Sequence, residues 1–501
     1  MGTFMRREID LAPAPPLMEL VAAGERELPP EALVFPPPGD PMPVARQLLT
    51  QVFSTSTGET TLVYWRGDWW MYSTGQWAKV EELDVKGALY DALEHATFFN
   101  GTKDEGGEKK DIYKPWRPTP GKVHGVLEPL QTQVNKHVHN DVDAPTWIGA
   151  GRITPARECL PMGNGLLHLP TRALEPHTPA LFSTYCLPFD YDPAATCPTW
   201  GGFLSEIFAH DPKGQLLVQE YAGYIVSGRL DMHKGLLIVG PSRAGKGVIS
   251  GALHQLVGVS NAQSPSLRDF ATDFGLAGLV GKPLATVEDA RGDDDRRNNA
   301  LVERLLNITA GDAVQINRKN REHWTGVLPT RLVLFSNEMP RFMDASGAVV
   351  NRFMAVHLEK SFLGKEDKTL PARISAEMPG ILNWALEGLA RLEAQGHFTV
   401  PGTMAGMLEQ MQDLASPVAA FIADTYTVTG EPTDMVELST VHNAYKDWCR
   451  DTGNNPPAQA EFARRLTAAV AGVAVKNMDV PGADWSGTGK RKRKRYVLGL
   501  E

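Results

Sequence analysis

Eight consecutive residues carry the densest chemical signal in the chain: Gly240-Pro241-Ser242-Arg243-Ala244-Gly245-Lys246-Gly247. Two spaced glycines followed at once by a lysine suit a tight loop whose backbone N–H groups point at a phosphate. The lysine then reaches the β- and γ-phosphates. The flanks agree with that chemistry. Leu236-Leu237-Ile238-Val239 is an apolar run of strand length, and apolar residues at 249, 253, 256 and 257 follow at helical spacing. A helix N-terminus behind the loop favours negative charge. The spacing therefore predicts strand, phosphate loop and helix, with Gly240 to Gly247 as nucleotide contacts and Lys246 as a catalytic cation. One position departs from the usual pattern. Gly247 stands where a Ser or Thr hydroxyl normally meets Mg²⁺, so the metal must be held by other groups. Ser250 lies one helical turn further on, at the limit of reach.

Downstream, Lys282-Pro283-Leu284-Ala285-Thr286-Val287 reads as a second apolar strand, ending in Glu288-Asp289. Two carboxylates at a strand tip suit Mg²⁺ and water chemistry: one holds the metal, the other orients or deprotonates the attacking water. Their order suggests Glu288 for metal and Asp289 for water, with the reverse left open. A third strand, Arg331 to Ser336, ends at Asn337, whose amide suits the γ-phosphate or the water. Arg352 opens a further strand, Phe353-Met354-Ala355-Val356. There it is placed to cross a subunit boundary and neutralise charge on the transferred phosphoryl group; Arg341 is the competing candidate.

These strands need a domain of ordinary globular composition, and the chain has it. It is 501 residues long, 42% hydrophobic and 22% charged, with a net charge of −9. At ~150 residues per domain it should hold about three. No apolar run reaches the ~20 residues of a membrane span, and no signal peptide opens the chain. The four cysteines, Cys159, Cys186, Cys197 and Cys449, form no Cys-x-x-Cys pair. Neither a zinc ribbon nor a disulfide framework is expected, and the reading is cytoplasmic. With an acidic overall balance, nucleic-acid contact must come from local patches.

Residues 1–44 are proline-rich and read as an unpacked arm. Residues 60–80 read as antiparallel strands. Four of the eleven tryptophans fall between 65 and 77, which predicts an aromatic core, with base stacking the alternative. Residues 84–99 and 203–230 read as helical, and 100–123, rich in Gly and Lys, as a mobile loop. His137 and His139 lack further ligands at a metal spacing. At the far end, Lys490-Arg491-Lys492-Arg493-Lys494-Arg495 runs into the apolar Tyr496-Val497-Leu498. A basic run followed by a strand is read as the wing of a DNA-binding module.

Taken together these segments resemble the superfamily 3 helicases, in their phage and plasmid primase–helicase branch. Gly240–Gly247 matches Walker A, Leu284–Arg291 Walker B, Leu332–Pro340 motif C with Asn337, and Asn351-Arg352-Phe353 the arginine finger. Ile308–Lys319 matches a segment, B′, that in the family forms a hairpin facing a central channel. Trp147, Asn164-Gly165-Leu166, Pro176–Pro179 and Tyr191-Asp192-Pro193 resemble the N-terminal domain shared with poxvirus-type NTPases. The resemblance spans roughly 45–400.

It implies an α/β fold: a P-loop AAA+ core at 206–400, an α+β N-terminal domain at 45–205 and a C-terminal winged-helix-like domain at 401–501. It also implies ATP-driven translocation on single-stranded DNA, Mg²⁺ as cofactor, and a homo-hexameric ring in the cytoplasm of a bacterial host. Arg318, Lys319 and Arg321, with His323 beside Trp324, would line the channel, and Lys490 to Arg495 would make the C-terminal contact. The short arm leaves no room for a primase domain, so a separate primase or polymerase is an expected partner. Two alternatives stand. Gly-Lys-Gly also occurs in nucleotide kinases of the adenylate kinase type, and the ATP site of an origin-binding adaptor would only regulate assembly.

Overall fold

A computed structural model describes residues 33–73, 75–149, 152–290, 298–319, 323–342, 347–453, 455–479 and 493–501. The fold is mixed α/β. Contacts divide it between Tyr191 and Asp192, with 323–324 grouped in the first unit.

The first unit begins earlier than the proline content predicts. The arm up to residue 32 lies outside the described residues, but Phe35 is buried and helix α1 (Pro41–Gln51) packs Val44, Ala45 and Leu48 into a core. Pro41 at the first helical turn fixes φ where no N–H is needed, so a proline-rich stretch here starts a helix. Strands β1 (Leu62–Trp65), β2 (Asp68–Ser73) and β3 (Gln76–Val80) form an antiparallel sheet. Helices α2 (Glu82–Glu94) and α3 (Pro120–Val134) bury Val85, Leu89, Val126 and Leu130 in the same core as Trp69 and Trp116. Trp65, Trp70 and Trp77 meet Phe182 edge-on at 5.4–5.6 Å in a second cluster. The clustered tryptophans are therefore core, with no exposed faces for bases.

The loop expected at 100–123 is a correction. Strands β4 (Thr97–Glu105) and β5 (Glu108–Pro115) make a long antiparallel hairpin, and α3 follows. Gly106 and Gly107, both at positive φ, make its turn, while the Phe99–Tyr113 cross-strand pair holds the register at a centroid distance of 6.0 Å. Five short strands follow: β6 (Thr146–Trp147), β7 (Cys159–Met162), β8 (Gly165–His168), β9 (Leu174–Glu175) and β10 (Leu181–Phe182). β7, β8 and β9 form one sheet and β6 pairs with β10.

In the second unit the helical stretch expected at 203–230 is two helices, α4 (Pro198–Ile207) and α5 (Pro212–Val226). Pro212 cannot continue a preceding helix. Its central sheet is parallel, in the order β12 (Ala262–Gln263), β13 (Leu284–Val287), β16 (Arg331–Ser336), β11 (Gly235–Val239), β17 (Phe353–His357). β11, β13 and β16 are buried along their whole length, as continuous apolar strands covered on both faces require. Helix α6 (Lys246–Val257) returns across the sheet after β11. The Tyr221 hydroxyl of α5 donates to the Leu332 carbonyl at 2.8 Å, tying α5 to β16. Strands β14 (Ala313–Ile316) and β15 (Trp324–Val327) pair apart from this sheet.

Beyond it, helices α7 (Pro417–Thr425), α8 (Leu438–Thr452) and α9 (Gln459–Ala469) share a core of Phe421, Val441, Tyr445, Phe462 and Leu466. Strands β18 (Met435–Glu437), β19 (Ala474–Asp479) and β20 (Arg493–Leu498) form an antiparallel sheet with β20 central. Among the described residues no helix is long and apolar enough to cross a membrane.

Candidate functional site

Because all the central strands run the same way, their C-terminal tips share one edge. β16 lies between β11 and β13, and the register pairs Val239 with Ser336 and Val287 with Leu334. The glycine loop after β11, Asn337 after β16 and Glu288-Asp289 after β13 are therefore neighbours on the edge where parallel sheets bind ligands.

The loop geometry depends on its glycines. Gly245 has φ +94°, and a Cβ there would sit 2.8 Å from the Phe203 ring. At Gly240 a Cβ would meet the Leu358 carbonyl oxygen at 2.7 Å. Gly240→Ala should therefore open the loop against β17. We expect at least a tenfold weaker nucleotide affinity, read by equilibrium titration with a fluorescent ADP, while far-UV circular dichroism stays unchanged.

Lys246 opens α6. Its ammonium donates to the carbonyls of Gly240 at 2.6 Å and Pro241 at 2.8 Å, and to Asn337 Oδ1 at 2.8 Å. Burial pulls its pKa down from the ordinary lysine value, and the nearby Asp289 carboxylate acts the other way. Glu288 is held differently. Its Oε1 accepts from Ser250 Oγ of α6 at 2.6 Å and from Thr286 Oγ1 at 2.9 Å. Thr286 Oγ1 is also 2.8 Å from His254 Nε2 and 3.1 Å from Ser264 Oγ. Burial lowers the His254 pKa, with Glu288 opposing. Glu288 and Asp289 remain exposed at their heads, an oxygen-only donor pair that fits a hard cation such as Mg²⁺.

A cavity of about 1150 Å³ opens over the loop. Sequence reasoning missed two of its walls. One is the N-terminus of α4, with Pro198 and Phe203; the other is the segment after β17, with Lys360, Phe362, Lys365, Lys368 and Arg373. The signal available was the density of cations around Phe362. This segment is bonded to the loop itself, through Ser361 Oγ to the Ser242 carbonyl at 2.8 Å and Phe362 N–H to the Arg243 carbonyl at 2.9 Å.

Glu377 caps α4, accepting from the N–H groups of Thr199 and Trp200 at 3.0 Å each. Burial acts to raise its pKa, but these hydrogen bonds prevail and the net shift is downward. A depressed carboxyl stabilises the fold above its unfolded pKa, and that stability is lost as pH falls through the folded value. Glu377→Gln should accordingly cost about 1 kcal/mol at pH 7 and lose less on acidification. Urea midpoints at pH 7 and pH 3 would measure both.

Arg352 is not with these residues. It ends a short 3₁₀ turn before β17, and Phe353 pairs with Gly235 at the start of β11. The five residues of β11 at ~3.3 Å each put it roughly 16 Å along the sheet from its own loop. Arg341 follows the Asn337 tip and is exposed.

The basic patches are less open than their sequences suggest. Arg318 is half-buried and Lys319 exposed, in the connection between β14 and β15; Arg321 lies outside the described residues. Lys490, Arg491 and Lys492 also lie outside them. In β20, Arg493 pairs with Asp479 at 3.1 Å and Lys494 with Glu437 at 2.6 Å. Arg495 is exposed and alone in this strand forms no ion pair among the described residues.

Comparison with known families matches two stretches of the chain. Residues 238–352, from β11 to Arg352, match a family of unknown function, DUF5906. Residues 151–209 match the family described as D5 N terminal like. Among solved structures, the chain is similar to the apo C-terminal region of NrS-1 (residues 305–718 of that protein), at 10% identity and TM-score 0.45, covering 87% of this chain and 96% of that one. A second apo structure of the same region gives 10% identity and TM-score 0.44 over 88% and 96%. A JCV helicase bound to a small molecule gives 17% identity and TM-score 0.28 over 45% and 62%.

Proposed function

We propose that the protein is an ATP-dependent DNA helicase of phage or plasmid replication, working as a ring on single-stranded DNA. The observation that carries this reading is the hydrogen bond from Lys246 to Asn337. It joins the phosphate loop to the tip of the adjacent strand, with the acidic pair of β13 one strand further on. In this reading the backbone N–H groups of the loop and of α6 receive the β-phosphate, and Lys246 balances charge on the β- and γ-phosphates. Glu288 would hold Mg²⁺, which when bound would supply neutralisation of phosphate charge. Asp289 takes the proton of the attacking water as it adds in line to the γ-phosphorus, while the bond from that phosphorus to the β,γ-bridging oxygen breaks and ADP leaves. Asn337 orients that water, and Arg352 of a neighbouring copy stabilises the charge on the transferred phosphoryl group. The fit of ATP rests on the cavity above the loop and the cations of its lining, of which Lys360 and Arg373 are paired with Glu206 and Asp367.

The C-terminal region supports the DNA half of the proposal. Its order of helix, strand, two helices and two strands, with the last strand central, suits a winged-helix-like module with α9 as the recognition helix. Arg464 and Arg465 on α9 are both paired to Glu461, as Arg493 and Lys494 are to Asp479 and Glu437, so the outer contacts fall to Arg495 and to Lys490, Arg491 and Lys492. A separate primase or polymerase and a bacterial cytoplasmic setting belong to the same proposal.

The deciding measurement is the steady-state ATPase rate with and without single-stranded DNA. A helicase should be stimulated severalfold, in a salt-dependent manner. A rate indifferent to DNA refutes the reading. Phosphoryl transfer to a nucleoside monophosphate would instead identify a kinase.

A further inference from the structure

The hydroxyl missing at Gly247 has a counterpart elsewhere in the fold. In the usual loop one Ser or Thr does two things: it meets the metal, and its position beside the acidic strand keeps the carboxylate in place. Here α6 presents Ser250 one turn later on the same helix face. Ser250 is buried, and its Oγ donates to Glu288 Oε1 at 2.6 Å. Thr286, fully buried, donates to the same oxygen at 2.9 Å. Thr286 is in turn fixed by His254 and Ser264. Two hydroxyls from two elements thus hold one carboxylate oxygen, which leaves Oε2 as the free donor. Steric exclusion does not explain the glycine. A Cβ at Gly247 would meet nothing within 4 Å, and its backbone is not in the left-handed region.

We propose that Ser250 is a positioning residue for the metal carboxylate: the loop hydroxyl's role is moved one turn along α6, where Ser250 and Thr286 clamp Glu288 so that its free oxygen serves the cation. This rests on the nucleotide reading above and goes further by dividing the work of the site. Phosphate binding stays with the loop and Lys246; metal binding depends on a hydroxyl that the loop motif does not contain. Partners that orient a metal ligand without touching the metal typically change metal affinity by roughly 10–100-fold.

The test separates the two. ADP affinity is measured by calorimetry on the full chain in EDTA, and Mn²⁺ affinity of the ADP complex by electron paramagnetic resonance. Ser250→Ala should keep the metal-free ADP affinity while weakening Mn²⁺ by roughly 10–100-fold. Adding Gly247→Ser to that variant, which the open space allows, should restore most of the Mn²⁺ affinity. A Ser250→Ala protein with wild-type Mn²⁺ affinity overturns the proposal. So does a loss that Gly247→Ser leaves untouched, or a loss accompanied by equal weakening of metal-free ADP, which would mean general damage to the site. A wild type that binds no ADP in either condition removes the nucleotide reading itself, and the inference with it.

Discussion

Lys246→Ala should lower ATP turnover by roughly 10²–10³-fold or more, the scale of removing one preorganised charge from a phosphoryl or oxyanion site. The substitution deletes a side chain that joins Gly240, Pro241 and Asn337, so both charge and alignment are lost. Among the described residues its ammonium bonds only to these three groups, and the thermal midpoint should move little. The check is kcat/KM for ATP beside a melting curve. Activity within about threefold of wild type would leave the glycine loop without its assigned chemistry.

Arg352→Ala should fall further, by roughly 10³-fold or more in kcat, the range of an arginine that stabilises the transferred phosphoryl group. Its ADP affinity should be nearly unchanged, because the residue sits at the opposite end of β11 from its own loop. The informative experiment mixes two dead proteins. Lys246→Ala copies retain the arginine, and Arg352→Ala copies retain an intact loop. Combining them should recover activity at the boundaries where a good loop faces a good arginine. Mixtures as inactive as their parents would assign Arg352 to structure, beside the hydrogen bond from Lys234 to the Asn351 carbonyl, and return attention to Arg341.

Much of the site was legible because each part is local. A four-residue apolar run ending in Glu288-Asp289, or a six-residue run ending in Asn337, is read within one strand. Which tips are neighbours is another matter. That depends on the sheet order, a non-local property, and only the register shows β16 between β11 and β13. The hairpin of β4 and β5 was hidden for a related reason. Its glycines and lysines look like a loop until Phe99 and Tyr113 are seen facing each other across the strands. Ser250 was visible as a residue one turn past the lysine, but its bond to Glu288 joins elements 38 positions apart. The cations after β17 carried no motif at all, and the fold folds them back over the loop.

The polarity of the central sheet has a consequence for assembly. Each copy carries a phosphate cradle at one end of its strands and the arginine at the other. In the proposed ring, copies follow one another head to tail, every member giving in one direction and receiving from the other. Such a succession is finished only when the last meets the first; an open row always strands one cradle and one arginine, and its catalytic output per copy grows with length until closure.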